Sequence, residues 1–264
     1  MRRKLVFFDI DGTLLDGLNG QDYLTEYTKK ALVKLKNDGH YIFIATGRPY
    51  PYLPKDLIEY DFDGYILCDG SYVVFHDKEI AYHPIEKEEI ISMFEQAKER
   101  NMIYVGYDKE NAYFFNDDGT FLEFCHLFNF DESYMRVIED YKNIVHTFTK
   151  IHIKCKEEKE LNEVMVNEDK LYSADDYEHM MKEIYSKKYS KATALKEILD
   201  YTGLKLEDTY FFGDGLNDLA MMDMIGCAIA MDNANDEVKR HADYICKSVS
   251  EDGVADFIFH SGLF

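Results

Sequence analysis

The 264-residue sequence lacks several features that define common classes of protein. Its five cysteines are odd in number and form no C-x-x-C pair, which argues for a reducing compartment and against a zinc site. No apolar run approaches the roughly 18 residues of a membrane span, and no signal-peptide pattern precedes the first acidic residues. We therefore expect a cytoplasmic protein that has no membrane partner.

Positive charge is also scarce, because 30 lysines and arginines stand against 51 aspartates and glutamates, for a formal net charge of −21. Such a surface repels nucleic acid at long range, so we expect no nucleic-acid partner. A site for an anionic substrate then needs local positive charge from a metal ion, a basic side chain or a helix N-terminus. The hydrophobic content of 46% is ample for a packed core.

The two ends of the chain alternate between strands and helices. Apolar runs typical of buried strands are KLVFFD, YIFIAT and YILCD near the start, and TYFFGD, CAIAM and YICK near the end. Helical segments such as KATALKEILDYTG separate them, and this order predicts a parallel sheet. The middle combines strands exposed on one side with amphipathic helices. It therefore predicts an α+β module over residues 80–185, inserted into an α/β domain of residues 1–79 and 186–264.

Two stretches of this middle part have a biased composition. The acidic run CKEEKELNEVMVNEDK, residues 155–170, is interpreted as a solvated helix face. The aromatic-rich stretch over residues 112–134 is expected to fill the core of the inserted module, and a pocket lining or a dimer face is the alternative.

Four short motifs lie at predicted strand ends or helix starts, where ligands bind in open α/β sheets. In the first, DIDGT at residues 9–13, period-two alternation puts Asp9 and Asp11 on one side of the chain. A solvated turn would explain the two acids, and so would a cation between them. An EF-hand loop is excluded, because its final glutamate position is Leu18 and a strand precedes the motif.

The second motif is Thr46-Gly47, after a predicted strand, where a hydroxyl and a close backbone approach suit a phosphate oxygen. The third is Lys191 at the start of a predicted helix, a position where a cation opposes the helix dipole. A plain loop and a surface lysine are the simpler interpretations of these two. The fourth is GDGLND, residues 213–218, where Asp218 replaces the third glycine of a dinucleotide-binding motif.

GDGLND instead brings Asp214, Asn217 and Asp218 to the end of another strand. Three or four carboxylates that converge on one edge of a sheet need a divalent cation, since they could not all stay ionised without one. Hard oxygen ligands favour Mg²⁺. A metal ion thus accounts for the paired aspartates of the first motif.

The motifs DIDGTLL, ATGR and GDGLNDLAMM, with the lysine between them and the later segments AIAMDNANDEVKRHADY and EDGVA, resemble the haloacid dehalogenase superfamily. The resemblance is to Cof-type phosphatases with a type-2B cap and spans nearly the whole chain. It implies a Rossmann-like parallel-sheet core with an α+β cap domain for substrate specificity. The cap falls between Thr46 and Lys191, because 144 residues lie between these two and only 36 lie between Asp9 and Thr46.

The resemblance further implies that Asp9 attacks phosphorus to form an aspartyl-phosphate, and that Asp11 protonates the leaving alkoxide and later deprotonates water. The phosphate-binding residues it implies are Ile10, Thr46, Gly47, Lys191 and Asn217. The implied Mg²⁺ ligands are Asp9, the main-chain carbonyl of Asp11, Asp214 and Asp218. The substrate would be a small phosphorylated metabolite, with sugar phosphates foremost, and the protein a monomer or homodimer.

Three positions depart from the family pattern: Ala192 and Asp232 stand where glycine is usual, and Asp69 stands where asparagine is usual. Asp69 adds a negative charge that could alter what the pocket accepts. Two alternatives to a phosphatase stay open. A phosphotransferase or mutase would need a second phosphate site, for which the middle segment offers no arginine cluster. A non-catalytic phosphometabolite sensor would not need an acid/base residue.

Overall fold

The computed structural model of the protein describes residues 2–127, 130–139 and 147–264. Internal packing divides the chain into two units. The first unit contains the chain up to Gly47, Pro54–Ala81 and Ser190–Phe264, and the second contains Arg48–Leu53 and Tyr82–Tyr189. The segment Arg48–Leu53, which was predicted to lie in the first domain, belongs to the second unit, where Tyr52 stacks on Phe130 with 4.1 Å between ring centroids.

Strands and helices alternate along most of the chain. The strands are Leu5–Phe8 (β1), Tyr41–Ala45 (β2), Gly64–Leu67 (β3), Tyr72–Phe75 (β4), Lys78–Tyr82 (β5), Ile103–Tyr107 (β6), Ala112–Phe115 (β7), Met135–Val137 (β8), Lys150–Lys154 (β9), Leu171–Asp176 (β10), Met181–Ser186 (β11), Thr209–Gly213 (β12), Cys227–Ala230 (β13) and Tyr244–Ile245 (β14). The helices are Glu26–Asn37 (α1), Lys55–Glu59 (α2), Lys87–Glu99 (α3), Thr120–Leu127 (α4), Glu158–Leu161 (α5), Lys191–Thr202 (α6), Leu219–Met222 (α7), Asp236–Arg240 (α8) and Gly253–His260 (α9).

The first unit is built on an eight-stranded sheet in the order β14-β13-β12-β1-β2-β3-β4-β5. The strands from β14 to β3 are parallel, and β4 runs antiparallel to β3. The central strand β1 is buried along its whole length, which explains its continuous apolar run LVFF. Phe7, Phe43 and Phe211 from adjacent strands share one hydrophobic cluster with α6. The predicted α/β fold class is confirmed.

The second unit contains a six-stranded sheet in the order β10-β11-β9-β6-β7-β8. Its neighbouring strands are antiparallel except for the parallel pair β7 and β8. Ile90 and Phe94 of α3 pack with Ile151 and Ile153 of β9 in one hydrophobic cluster. Val105 of β6 belongs to a second cluster with residues of β7 and α4. Helices on a mostly antiparallel sheet are the α+β arrangement that the sequence predicts for this part.

Several local predictions were less accurate. The run YILCD is a strand only to Leu67, because Cys68 and Asp69 adopt left-handed backbone conformations. The acidic run is helical only over Glu158–Leu161, since the asparagines and valines that follow are weaker helix formers. In the aromatic-rich stretch, the side chains of Phe114, Phe115 and Phe121 are buried in the second unit, whereas residues 128–129 lie outside the described residues.

A helix that crosses a bilayer must be long and apolar, and this applies to every helix in the described part of the chain. None of its helices combines the length and the hydropathy that crossing a bilayer requires.

Candidate active site

Three strand ends of the first unit bring the acidic motifs together. β1 pairs in parallel with β2 on one side and with β12 on the other, so their carboxyl ends meet at one edge of the sheet. Asp9, Thr46 and Asp214 are the residues that directly follow these strands. Asp9 and Thr46 are buried, and Asp214 is half-buried. The sequence motifs therefore converge at the sheet edge where they were expected to lie.

Lys191 supplies the cation at this edge. It is the first residue of α6, and the preceding Ser190 caps the helix by accepting a hydrogen bond from the Thr193 N–H at 3.3 Å. Its side chain is 1% exposed, and Nζ lies 2.8 Å from Asp9 Oδ1 and 2.6 Å from Asp218 Oδ1. A lysine buried at a helix N-terminus is unfavourable unless acids compensate it, and two aspartates do so here.

Asp218 organises the GDGLND loop from within. Its side chain is fully buried, and Oδ2 accepts hydrogen bonds from the backbone N–H groups of Asp214 at 3.1 Å and Gly215 at 3.0 Å. Its other oxygen accepts from Lys191. Both oxygens of Asp218 are thus already engaged by protein donors, so its largest effect is to fix the loop and the lysine.

The Asp214 carboxylate sits against the backbone of the first motif. Its Oδ1 accepts the Thr13 hydroxyl at 2.8 Å. A β-carbon at Gly12, which has a φ of +79°, would lie only 2.1 Å from Asp214 Oδ2, so this contact requires glycine. The Asn233 side chain completes the arrangement by donating to the Gly12 carbonyl at 2.8 Å. Thr13 and Asn233 were not predicted as site residues, although they lie within the motifs DIDGTLL and AIAMDNANDEVKRHADY.

The turn after β1 places the remaining residues of the first motif. The Ile10 carbonyl accepts from the backbone N–H groups of Thr13, Leu14 and Leu15 at 3.2, 3.0 and 2.9 Å. The Ile10 side chain is buried, whereas Asp11 is exposed. A role for the Ile10 backbone in phosphate binding stays a prediction.

Thr46, Gly47, Asp69 and Asn217 form the other side of the site. The Thr46 carbonyl accepts the Asp69 N–H at 3.2 Å, and Asn217 Nδ2 donates to Asp69 Oδ1 at 3.2 Å. A β-carbon at Gly47 would lie 2.9 Å from Asp69 Oδ2. Two groups predicted to bind phosphate, the Gly47 backbone and the Asn217 amide, therefore adjoin a carboxylate that no prediction placed in contact with them.

The three carboxylates of Asp9, Asp214 and Asp218 fit a divalent cation. Each offers one oxygen, and these oxygens all lie within 4.8 Å of one another. Burial raises the pKa of Asp9 despite the opposing effect of Lys191, and burial raises the pKa of Asp214 to about 6. Both shifts favour the neutral acid unless positive charge is added, and among the described residues an all-oxygen set of this kind suits Mg²⁺.

The pKa of Lys191 shows the same excess of negative charge. Burial alone would lower this pKa, but Asp218, Asp9 and Asp69 together raise it well above its usual value. Lys191 is therefore protonated at neutral pH, and it offers a positive charge beside Asp9.

Comparison with known proteins places this geometry in context. The sequence profile of the haloacid dehalogenase-like hydrolases matches residues 6–258. YkrA of Bacillus subtilis, provisionally named a phosphatase, is 31% identical over 100% of this chain and 99% of its own. The 5-amino-6-(5-phospho-D-ribitylamino)uracil phosphatase YitU of the same organism is 28% identical over 96% of both chains.

Solved structures give a matching result. The structure of a sugar phosphatase of haloacid dehalogenase subclass IIB superposes with a TM-score of 0.82 at 27% identity, covering 99% of this chain and 100% of the other. A hypothetical protein from Geobacillus kaustophilus superposes with a TM-score of 0.85 at 29% identity, covering 100% of both chains. The whole chain, with both of its units, is thus represented among these relatives.

Proposed function

The chain belongs to the family of haloacid dehalogenase-like hydrolases and is a phosphatase of that family; from this premise we propose that it hydrolyses phosphomonoesters of small metabolites, sugar phosphates foremost, with Mg²⁺. The observation that carries the proposal is the buried Asp9, whose Oδ1 lies 2.8 Å from the Nζ of Lys191. It pairs a carboxylate nucleophile with a fixed cation at the carboxyl edge of the sheet.

In the first step, Asp9 attacks phosphorus, the bond from phosphorus to the ester oxygen breaks, and Asp11 donates a proton to the departing alkoxide. The exposure of Asp11 supports this role, because the substrate enters from solvent and its ester oxygen must come within reach of the general acid. Lys191, the Thr46 hydroxyl and the Gly47 amide would hold the phosphoryl oxygens. In the second step, Asp11 takes a proton from water, which attacks phosphorus and releases Asp9 and orthophosphate.

Asp9, Asp214 and the main-chain carbonyl of Asp11 would hold the Mg²⁺, with Asp218 acting on it through water because both of its oxygens already accept hydrogen bonds. When bound, Mg²⁺ supplies positive charge that offsets the carboxylates and the phosphoryl oxygens. Thr13 and Asn233 keep Asp214 and the Gly12 carbonyl in place. These contacts support a metal site that is organised before the substrate arrives.

We assign the choice of substrate to the second unit. None of the nine residues predicted for chemistry, phosphate binding or metal binding belongs to it. The first unit would then bind the phosphoryl group that all substrates share, and the second unit would select among their leaving groups.

The test is release of orthophosphate from a panel of sugar phosphates, nucleotides and cofactor phosphates, with and without Mg²⁺. We expect metal-dependent release in the wild type and a loss of about a thousandfold or more in Asp9→Asn, which removes the nucleophile but keeps the shape of the side chain. Asp38→Asn is the matched control, because Asp38 is an exposed residue paired with Lys34 at 2.7 Å.

A wild type that binds a phosphorylated metabolite but releases no orthophosphate would contradict the proposal and indicate a sensor. Transfer of the phosphoryl group to a second metabolite instead of water would indicate a phosphotransferase or mutase.

A further inference from the structure

Asp69 is a charged residue of the site to which the proposed chemistry assigns no role. It lies in the short turn Cys68–Gly70 that follows β3, and the residue is only 6% exposed. Its backbone has φ 53° and ψ 31°, a left-handed conformation that costs most residues energy but is tolerated by aspartate and asparagine. The fold thus holds this carboxylate in a defined place at some cost in conformation.

The turn is fixed on both sides by parts of the phosphate-binding region. The Asp69 N–H donates to the Thr46 carbonyl at 3.2 Å. On the opposite side, a β-carbon at Gly70 would lie 2.1 Å from the carbonyl oxygen of Ser190, the residue that caps the helix of Lys191. Asp69 is therefore held between the Thr46-Gly47 loop and the start of α6.

Its carboxylate reaches two groups that are proposed to bind phosphate. Asn217 Nδ2 donates to Oδ1 at 3.2 Å. Both oxygens also face the backbone of Gly47, since a β-carbon there would lie 2.9 Å from Oδ2 and 3.0 Å from Oδ1. An anion bound by the Gly47 amide and the Asn217 amide would therefore have a carboxylate as a close neighbour.

That neighbour acts on the site in two ways. It orients the Asn217 amide, because the hydrogen bond fixes an otherwise exposed side chain. It also adds a negative charge where an anion binds, and its field is one of those that act on Lys191. Like charges at short range in a buried site repel strongly, since water screens them poorly there.

We propose that Asp69 weakens the binding of orthophosphate, so that the product leaves readily, while it holds Asn217 in position. The inference rests on the proposed function, because orthophosphate is the product only if the chain is a phosphatase. Removal of the charge alone should therefore tighten orthophosphate binding. Removal of the Asn217 amide, whose position Asp69 sets, should weaken it.

Asp69→Asn isolates the charge. Asparagine tolerates the left-handed backbone, has nearly the same volume, and keeps an oxygen that can accept from Asn217. We expect the dissociation constant for orthophosphate, measured by isothermal titration with Mg²⁺ present, to fall about tenfold, which corresponds to a change in electrostatic energy of about 1.4 kcal/mol. The inhibition constant for orthophosphate in the hydrolysis assay should fall by the same factor.

Two controls separate this effect from others. Asp38→Asn removes one exposed negative charge that precedes the start of β2, whereas Thr46 follows the end of that strand, and it should leave orthophosphate binding unchanged. Asn217→Leu should weaken orthophosphate binding about threefold or more in both the wild type and the Asp69→Asn background. Thermal unfolding of each variant with Mg²⁺ checks that the fold is retained.

Unchanged or weaker orthophosphate binding in Asp69→Asn would overturn the proposal, and so would equal tightening in Asp38→Asn. Failure of the proposed function looks different. The wild type would then release no orthophosphate from any substrate of the panel, whereas the titration would still report whether Asp69 opposes anion binding.

Discussion

Each unit buries a lysine against carboxylates, but the surroundings of the two lysines differ. In the first unit, the 1% exposed Lys191 contacts Asp9 and Asp218, and further acids lie nearby. In the second unit, the 3% exposed Lys150 pairs with Glu183 across neighbouring strands. The first arrangement sets at least two carboxylates against one lysine, whereas in the second Lys150 and Glu183 form an ion pair.

The Lys150–Glu183 pair in the second unit is followed by contacts with further polar side chains. His152 Nε2 lies 3.7 Å from Glu183 Oε2, and His152 Nδ1 lies 2.8 Å from the Tyr107 hydroxyl. The Tyr107 hydroxyl is in turn 2.6 Å from the hydroxyl of Tyr52. This sequence of partners, from Lys150 to Tyr52, is a polar chain in which successive members contact one another, as a stable interior requires.

The pKa values follow the same contrast. In the first unit, burial raises the pKa of Asp9 and of Asp214. In the second unit, burial alone would raise the pKa of Glu183, but Lys150 and His152 hold it well below its usual range. Surplus acids with raised pKa values indicate a place for a cation, whereas an acid stabilised by its own lysine indicates a structural pair.

The sharpest test of this comparison replaces one buried lysine in each unit. We expect Lys191→Met to lower kcat by about a thousandfold, because it removes the fixed charge beside the nucleophile. Lys150→Met is the matched variant, since Lys150 is 3% exposed and pairs with Glu183 in the second unit. It should lower the free energy of unfolding but leave kcat within about twofold. Similar losses of kcat in both would break the comparison.

The next largest effect should come from Glu183→Gln, which leaves Lys150 without its carboxylate. We expect the free energy of unfolding at pH 7.5 to fall by about 2 kcal/mol. This is less than for a fully buried ion pair, because the Glu183 side chain is 35% exposed and water screens its charge. Since its pKa is lowered on folding, this stabilisation is present above the usual value of 4.5 and is lost as pH falls below it. Urea unfolding at several pH values measures both; a pH-independent cost would contradict the assignment.

When Mg²⁺ is removed with a chelator, the contribution of Asp214 to the free energy of unfolding should change with pH in the opposite direction to that of Glu183. The pKa of Asp214 rises from 3.8 to about 6 on folding, so its contribution to stability is full below pH 3.8 and is lost as pH rises through 6. Asp214→Asn should therefore stabilise the metal-free protein by about 1 kcal/mol at pH 7.5 and have little effect near pH 4. With Mg²⁺ the variant should gain less stability than the wild type, because it loses a proposed ligand. Equal gains would remove Asp214 from the metal site.

The smallest effect on kcat is expected for Tyr107→Phe, which removes the hydroxyl between Tyr52 and His152. The loss of two buried hydrogen bonds should cost about 1–2 kcal/mol in the free energy of unfolding, with kcat unchanged on small substrates. Calorimetric unfolding measures the first quantity, and steady-state kinetics measures the second. A large fall in kcat would show that the polar chain takes part in the chemistry and is not only structural.

Much of the candidate site was predictable because its residues lie next to strands that the sequence reveals. The apolar run before Asp9 and the one before Asp214 identify two strands, and parallel order then brings their ends together. Lys191 was predicted from its position at a helix start. Asp9 and Asp214 lie at one edge of the sheet because β1 and β12 are parallel neighbours, and Lys191 contacts Asp9 there.

The rest depended on geometry that composition does not encode. Asp69 was assigned to the end of a strand, so its left-handed turn and its contact with Asn217 could not be foreseen. The pairing of Lys150 with Glu183 depends on the register of β9 against β11, and a shift by one residue would place the two on opposite faces. Contacts between residues distant in sequence are set by such registers, not by local pattern.

The position of β1 has a consequence for synthesis of the chain. β1 hydrogen-bonds to β2, which is made soon afterwards, and to β12, whose first paired residue Thr209 is 204 positions beyond Leu5. While the ribosome makes the intervening residues, one edge of this fully apolar strand has no partner. Unpaired apolar edges attract other chains, and pairings so far apart in sequence form slowly.

The ion pair between Asp9 and Lys191, 182 residues apart, is completed just as late. A chain that ends before α6 therefore leaves one apolar edge of β1 unpaired and lacks the Lys191 of the proposed active site. Nascent chains of this protein should depend on chaperones until α6 and β12 have left the ribosome, and full activity should follow release with a delay set by the closing of the sheet.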